Sequence, residues 1–140
     1  MKPLPQNTKM IFSSTPEFTK ELKSFTKRWP SLPKDLNVVK QVIETLYVDQ
    51  DGVDRVALRK NFFNSKRATI LSQTEHCEAV KMRMNCASLG GKDSVRLVFV
   101  YVYDGNSVVF IELFSKTNKA RENIPRLQKF LCERTTKRDG

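Results

Sequence analysis

Histidine occurs once in this chain of 140 residues, tryptophan once, cysteine three times and glycine five times. The scarcity excludes several chemistries. Cys77, Cys86 and Cys132 are an odd number with no C-x-x-C spacing, so neither a disulfide framework nor a zinc ribbon is expected, and the thiols fit a reducing, cytoplasmic setting. His76 stands beside Cys77, but neighbouring residues of a strand point to opposite faces, which excludes a Cys–His dyad from that pair. Gly90-Gly91-Lys92 lacks the spacing of a phosphate loop and precedes a strand pattern rather than a helix. Glu78, Asp93, Asp104 and Glu112 are too dispersed for a metal-dependent nuclease, so no metal and no cofactor are expected. Long apolar runs are missing too. None approaches the ~18 residues of a membrane helix, and Met1–Asn7 has no apolar core, so neither membrane association nor a secretory signal is expected.

Acidic residues are also few: 15 Asp and Glu against 25 Lys and Arg, a net charge of +10. Such an excess suits a partner rich in phosphate or carboxylate. From Lys116 onward, eight basic residues face three acids, which concentrates half the excess near the C-terminus. With 39% apolar residues, nine of them Phe, the chain can fill one core.

The pattern along the chain predicts an α+β fold. Residues 1–8 read as a flexible N-terminus, and Lys9–Ser14 as a short strand. Thr15 can cap a helix with Pro16 in its first position, and Phe18, Leu22, Phe25 and Trp29 form one face. Pro30 stops it. A second helix follows Ser31-Leu32-Pro33, with a stripe of Leu36, Val39, Ile43 and Leu46, so the pair forms a helical hairpin. Val53–Lys60 suggests a short helix, and 61–73 yields no assignment. The period then becomes two: Ala79–Cys86, Val95–Tyr103 and Val108–Phe114 read as antiparallel strands, the last two joined by an Asp104-Gly105-Asn106 turn. A helix beginning near Pro125 turns Ile124, Leu127 and Leu131 inward, and 135–140 reads as a flexible basic tail. The expectation is an antiparallel sheet with the N-terminal hairpin on one face, a C-terminal helix, and the other sheet face free to work.

That free face would carry cations. Lys81 and Arg83 share one side of a strand, Arg96 heads the central strand, and Lys116 ends the last, with Lys119 just beyond. The plain reading of Lys81 and Arg83 is the solvated side of an amphipathic strand. The chemical reading is convergence. Clustered cations hold phosphate backbones and stabilise the extra charge of a phosphorane-like transition state. Crowding also favours the neutral form of a lysine, which allows proton exchange. The 2′-OH of RNA then supplies a nucleophile without a metal. Phe110 and Phe114 could stack a base, although the core claims them more strongly.

The run Gly91–Tyr101 (GKDSVRLVFVY), the strand Val108–Phe114 and Ser115-Lys116-Thr117-Asn118-Lys119 resemble the RelE/ParE toxin superfamily, closest to its HigB-like branch. Thr15-Pro16-Glu17-Phe18 and the Lys-rich hairpin with Leu32-Pro33 at its corner agree. The likeness covers 9–48 and 79–132 of a domain taken as 9–134. It implies a RelE-like fold and the toxin of a bacterial toxin–antitoxin pair, an endoribonuclease that cleaves mRNA at the ribosome without metal, held in check by a cognate acidic antitoxin. By the resemblance, Arg96 contacts the scissile phosphate, and Lys81, Arg83 and Lys116 complete the catalytic set. Lys92, Lys119, Lys20 and Lys23 are expected to bind RNA around them. ParE-like relatives inhibit DNA gyrase instead, and a non-catalytic RNA-binding protein on the same fold is a third reading. Two departures stand out. No Tyr or His follows Tyr103 to act as proton donor, and 49–78 is long enough to be an insertion.

Overall fold

Residues 10–47, 54–90 and 94–139 are described by the structure, a computed structural model. The chain is mixed α+β; the described residues form a five-stranded sheet in the order β1-β5-β4-β3-β2 and four α-helices. The strands are β1 (Ile11–Ser14), β2 (Ala68–Gln73), β3 (Cys77–Met84), β4 (Val95–Val102) and β5 (Ser107–Ser115). The helices are α1 (Pro16–Arg28), α2 (Leu32–Tyr47), α3 (Arg55–Phe63) and α4 (Ile124–Asp139). β2 to β5 are antiparallel neighbours, and β1 lies parallel to β5.

The α1–α2 hairpin forms as its signals require. The Thr15 hydroxyl accepts the Phe18 amide at 3.2 Å, and Pro16 occupies the first turn, where its missing N–H costs nothing. The Trp29 amide closes the last turn on the Phe25 carbonyl before Pro30 ends the helix. Phe18 of α1, Trp29 at its C-terminal cap and Leu36, Val39, Ile43 and Leu46 of α2 are buried in one core with Val80, Met82, Met84, Leu97 and Phe99 of the sheet. Each such side chain contributes about 1.5–3 kcal/mol by leaving water. Phe110 belongs here as well, stacked on Phe18 at 5.2 Å.

The opposite face of the sheet is not open. α4 lies across it, with Leu127, Phe130 and Leu131 packed against Cys77, Ala79, Val98, Val100, Val102 and Ile111. Valines at alternate positions of β4 need an apolar cover, and α4 supplies it. The expected free face therefore shrinks to the end of the sheet that α4 leaves bare, where Arg83 and Arg96 replace the valines. Ile124 is half-buried and stands outside that cluster. The helix also continues through Asp139, across most of the stretch read as a tail, since nothing between Pro125 and Gly140 breaks it.

The middle of the chain is integral to the fold: the short helix expected over 53–60 forms as α3, and the unassigned 61–73 supplies the end of α3 and β2. Asp54 caps α3 by accepting the Ala57 amide, and β2 pairs along β3 as an edge strand. The remainder of the possible insertion, 49–53, lies outside the described residues, as do residue 48 and residues 1–9. β5 carries a bulge at Ile111, which shifts its register against Val98 and Phe99. The extra residue reverses the alternation, so Phe110 and Phe114 fall in opposite cores rather than on one base-stacking face.

Beyond Ser14, β1 no longer covers β5, and side chains take over. The Glu21 carboxylate accepts the Leu113 amide at 3.0 Å. Arg126 of α4 donates to the Ile111 carbonyl and pairs with Glu21 at 2.7 and 3.0 Å. The clamp ties α1, β5 and α4 together and satisfies an otherwise bare strand edge.

Candidate nucleic-acid interface

Lys81, Arg83, Arg96 and Lys116 line one cavity of about 180 Å³, together with Lys66 and Arg67. The sheet explains the convergence. Arg83 and Arg96 are register partners across β3 and β4. Lys81 lies two residues from Arg83 on the same face, and Lys116 follows β5, its amide donating to the Ser94 carbonyl at 2.7 Å. Like charges directly opposite one another destabilise a sheet. A bound anion reverses the sign of that interaction.

Two of the six cations were not singled out in the sequence. Lys66 and Arg67 sit in the turn between α3 and β2, where Lys66 adopts a positive φ of 68°. That conformation is uncommon for a residue with a side chain, and such strain clusters at functional sites. The Arg83 amide donates to the Arg67 carbonyl at 2.8 Å and fixes the turn against β3.

The cations differ in their internal partners. The Lys81 ammonium donates to Glu122 at 2.9 Å, and the Glu122 carboxylate is buried. Burial pushes that carboxyl up. The hydrogen bond from Lys81, a backbone hydrogen bond and the charges of Lys81 and Arg121 outweigh burial and hold it below the usual range. Lys116 is exposed, and its ammonium donates to the Ala120 carbonyl at 3.0 Å. Arg96 is half-buried and donates to the Val95 carbonyl at 3.3 Å. Glu122 just before α4 thus reaches back to this site, a role its charged, Pro-containing neighbourhood in the sequence does not announce.

The outlying RNA-binding expectations fare differently. Lys119 is paired with the buried Glu112 and lies over the Phe114 ring at 5.3 Å, so it is anchored outside the pocket lining. Lys20 and Lys23 are exposed on α1, which packs on the other side of the sheet. Lys92 lies outside the described residues. His76 is partly exposed and faces Glu75 at 3.8 Å, whereas Cys77 is buried against the Thr74 hydroxyl. Among the described residues no group of three or more His, Cys, Asp or Glu could hold a metal ion, and no helix is long and apolar enough to cross a membrane.

A second polar cluster surrounds Glu78, which is buried at the other end of β3. It accepts from Tyr47, from Arg59 at 3.2 Å, from Gln73 at 3.0 Å and from Tyr103 at 3.0 Å. Burial, and then the Glu78 charge, push the Tyr47 phenol above its ordinary value. The donors come from α2, α3, β2 and the end of β4, so the cluster fastens α3 to the sheet.

Comparison with family models, with curated proteins and with solved structures finds no match to this chain.

Proposed function

We propose that this protein binds RNA through the cationic pocket and cleaves it without a metal ion, as the toxin of a toxin–antitoxin pair related to the RelE/ParE superfamily and its HigB-like branch. The observation that carries the reading is the convergence of Lys66, Arg67, Lys81, Arg83, Arg96 and Lys116 around one cavity of phosphate scale. In the reaction the 2′-oxygen bonds to the adjacent phosphorus and the bond to the 5′-oxygen breaks. Net, one proton passes from the 2′-oxygen to the 5′-oxygen, leaving a cyclic phosphate and a 5′-hydroxyl. Arg96 and Arg83, opposite each other on neighbouring strands, stabilise the charge on the phosphorane-like transition state. Lys81 binds as half of an ion pair, and Lys116 holds the flanking backbone. The substrate is mRNA at the ribosome, and an acidic antitoxin neutralises the surplus charge.

The Lys81–Glu122 pair favours a second reading, RNA binding without cleavage, because it commits one of the lysines to an internal carboxylate. Induced expression with mapping of mRNA 5′ ends separates the two. The nuclease reading expects new 5′ ends and growth arrest, both relieved by Arg96→Ala in a variant whose circular dichroism matches the parent. Arrest without new ends, together with loss of DNA supercoiling activity in purified gyrase, supports gyrase inhibition instead. A folded Arg96→Ala variant that still arrests growth refutes the site.

A further inference from the structure

The cationic pocket adjoins a larger cavity of about 420 Å³, and the two share Arg67, Met82 and Arg83. The sheet edge explains the junction. β2 begins at Ala68 opposite Met82, and the Arg83 amide makes its bond to the Arg67 carbonyl one step further on. Past that point β3 has no β2 neighbour, so the two faces of the sheet meet around these two arginines. The first cavity lies on the α4 side. The second lies on the α2 side, walled by Val38, Val39 and Val42 of α2, Phe62 of α3 and Cys86.

We infer that this second cavity receives a nucleobase of the RNA strand whose phosphate occupies the cationic pocket. The inference rests on the RNA-binding reading above. Three features favour a base. The wall is apolar with few polar groups, and its volume falls within the ordinary range of ligand pockets. The entrance is flanked by Arg67 and Arg83, and a guanidinium can pair with phosphate and also stack on a base. The rim carries groups that read base edges: the exposed Asn85 amide and the Asp35 carboxylate. Asp35 is held in place because its Oδ2 accepts the Ser31 hydroxyl at 2.7 Å and the Ala87 amide at 3.1 Å. A fixed carboxylate accepts an exocyclic amino group. It repels an acidic peptide, which argues against a protein segment as occupant. Val38, 59% exposed, leaves an apolar side chain at the mouth that a base would cover.

The test measures binding of the full chain to a labelled hexaribonucleotide by fluorescence anisotropy. Each position is replaced in turn by an abasic ribose, which keeps every phosphate. One position is expected to cost about tenfold in affinity and the others no more than about threefold. Val42→Phe, which fills the cavity, should lower affinity for the intact strand about tenfold and abolish the effect of the sensitive position. Competition by inorganic pyrophosphate should stay unchanged. The abasic scan on the unaltered protein decides the matter even if that variant fails to fold. A flat profile with binding that Arg96→Ala weakens overturns the base pocket and leaves the RNA reading standing. A flat profile with binding of an acidic, leucine-containing peptide, lost in Val42→Phe, reassigns the cavity to a protein partner and also overturns the inference. Absence of any RNA binding removes the RNA reading and this inference together.

Discussion

Replacing Glu122 by Gln should move two properties in opposite directions. The carboxylate is buried and bonded to Lys81 at 2.9 Å, while the Lys81 side chain keeps 27% of its exposure. Exposed pairs contribute about 0.2–1 kcal/mol, and breaking a fully buried one costs about 3–5 kcal/mol. This half-buried pair falls between, and Gln keeps the shape and one hydrogen bond, so a loss of about 1–2 kcal/mol is expected at pH 7. For a domain of this size that is a fall of about 4–8 °C in melting temperature. The sign with pH is fixed by the carboxyl, which sits below its ordinary value of 4.5 in the folded state. Its stabilisation is therefore present above about pH 4.5 and disappears as pH falls through the lower folded value, so parent and variant should converge in acid. Meanwhile the site loses a negative charge. At roughly 7 Å from a phosphate, in a medium near water's dielectric, that charge costs roughly 0.6 kcal/mol. Glu122→Gln should therefore bind a short oligoribonucleotide about two- to threefold tighter. Urea unfolding across pH and anisotropy at one fixed salt concentration measure both. An unchanged midpoint at pH 7, a gap that persists undiminished in acid, or weaker RNA binding would refute the reasoning. The last outcome would make Glu122 part of the binding or catalytic machinery.

Other consequences can be checked separately. Arg96→Ala should weaken single-stranded RNA binding at least tenfold and make the slope of log K against log salt shallower by about 0.7, with little change in melting temperature; an unchanged slope would mean Arg96 touches no phosphate. Arg126→Ala strips the Ile111 carbonyl and Glu21 of their shared partner and should cost about 2–4 kcal/mol in urea unfolding, far more than a surface arginine. The Tyr47 phenol, raised by burial and by Glu78, gives stability that is complete below pH 10.0, its ordinary value, and is lost as pH rises toward the folded value. Tyr47→Phe should accordingly be less stable than the parent at pH 7, and the gap should narrow in alkali; a constant gap would mean the phenol does not titrate differently on folding.

The elements that were legible in the sequence are those whose period is strong. α1 and α2 show apolar residues three and four apart with capping signals at Thr15 and Pro30, and β4 is nearly continuous Val, Phe and Tyr. β2 was not legible because Thr69, Ser72 and Gln73 interrupt its apolar residues, and a register shift between Ile70 and Ser72 breaks the alternation. α3 was legible as a short helix over 53–60, but its nine residues, Arg55–Phe63, carry too weak a stripe to fix where it ends. Four members of the cationic set could be named because the strands place them by phase, which is a local property. Lys66 and Arg67 could not, since a turn delivers them, and Glu122 could not, since its partner lies 41 residues away. The open sheet face was expected because a single helix after β5 does not state which side it will cover; the valines of β4 decide that only once Ile111 and α4 are in place.

The clamp between Glu21 and Arg126 spans 105 residues, and β1 cannot add to the sheet until β5 exists. At translation rates of about 5–20 residues per second, the first helix must wait roughly 5–20 s for its last contact. A nascent chain therefore leaves the ribosome with its basic groups still dispersed along an unfinished scaffold. They gather only once the chain has been made through Lys116, so fragments that terminate before β5 should lack the assembled cavity.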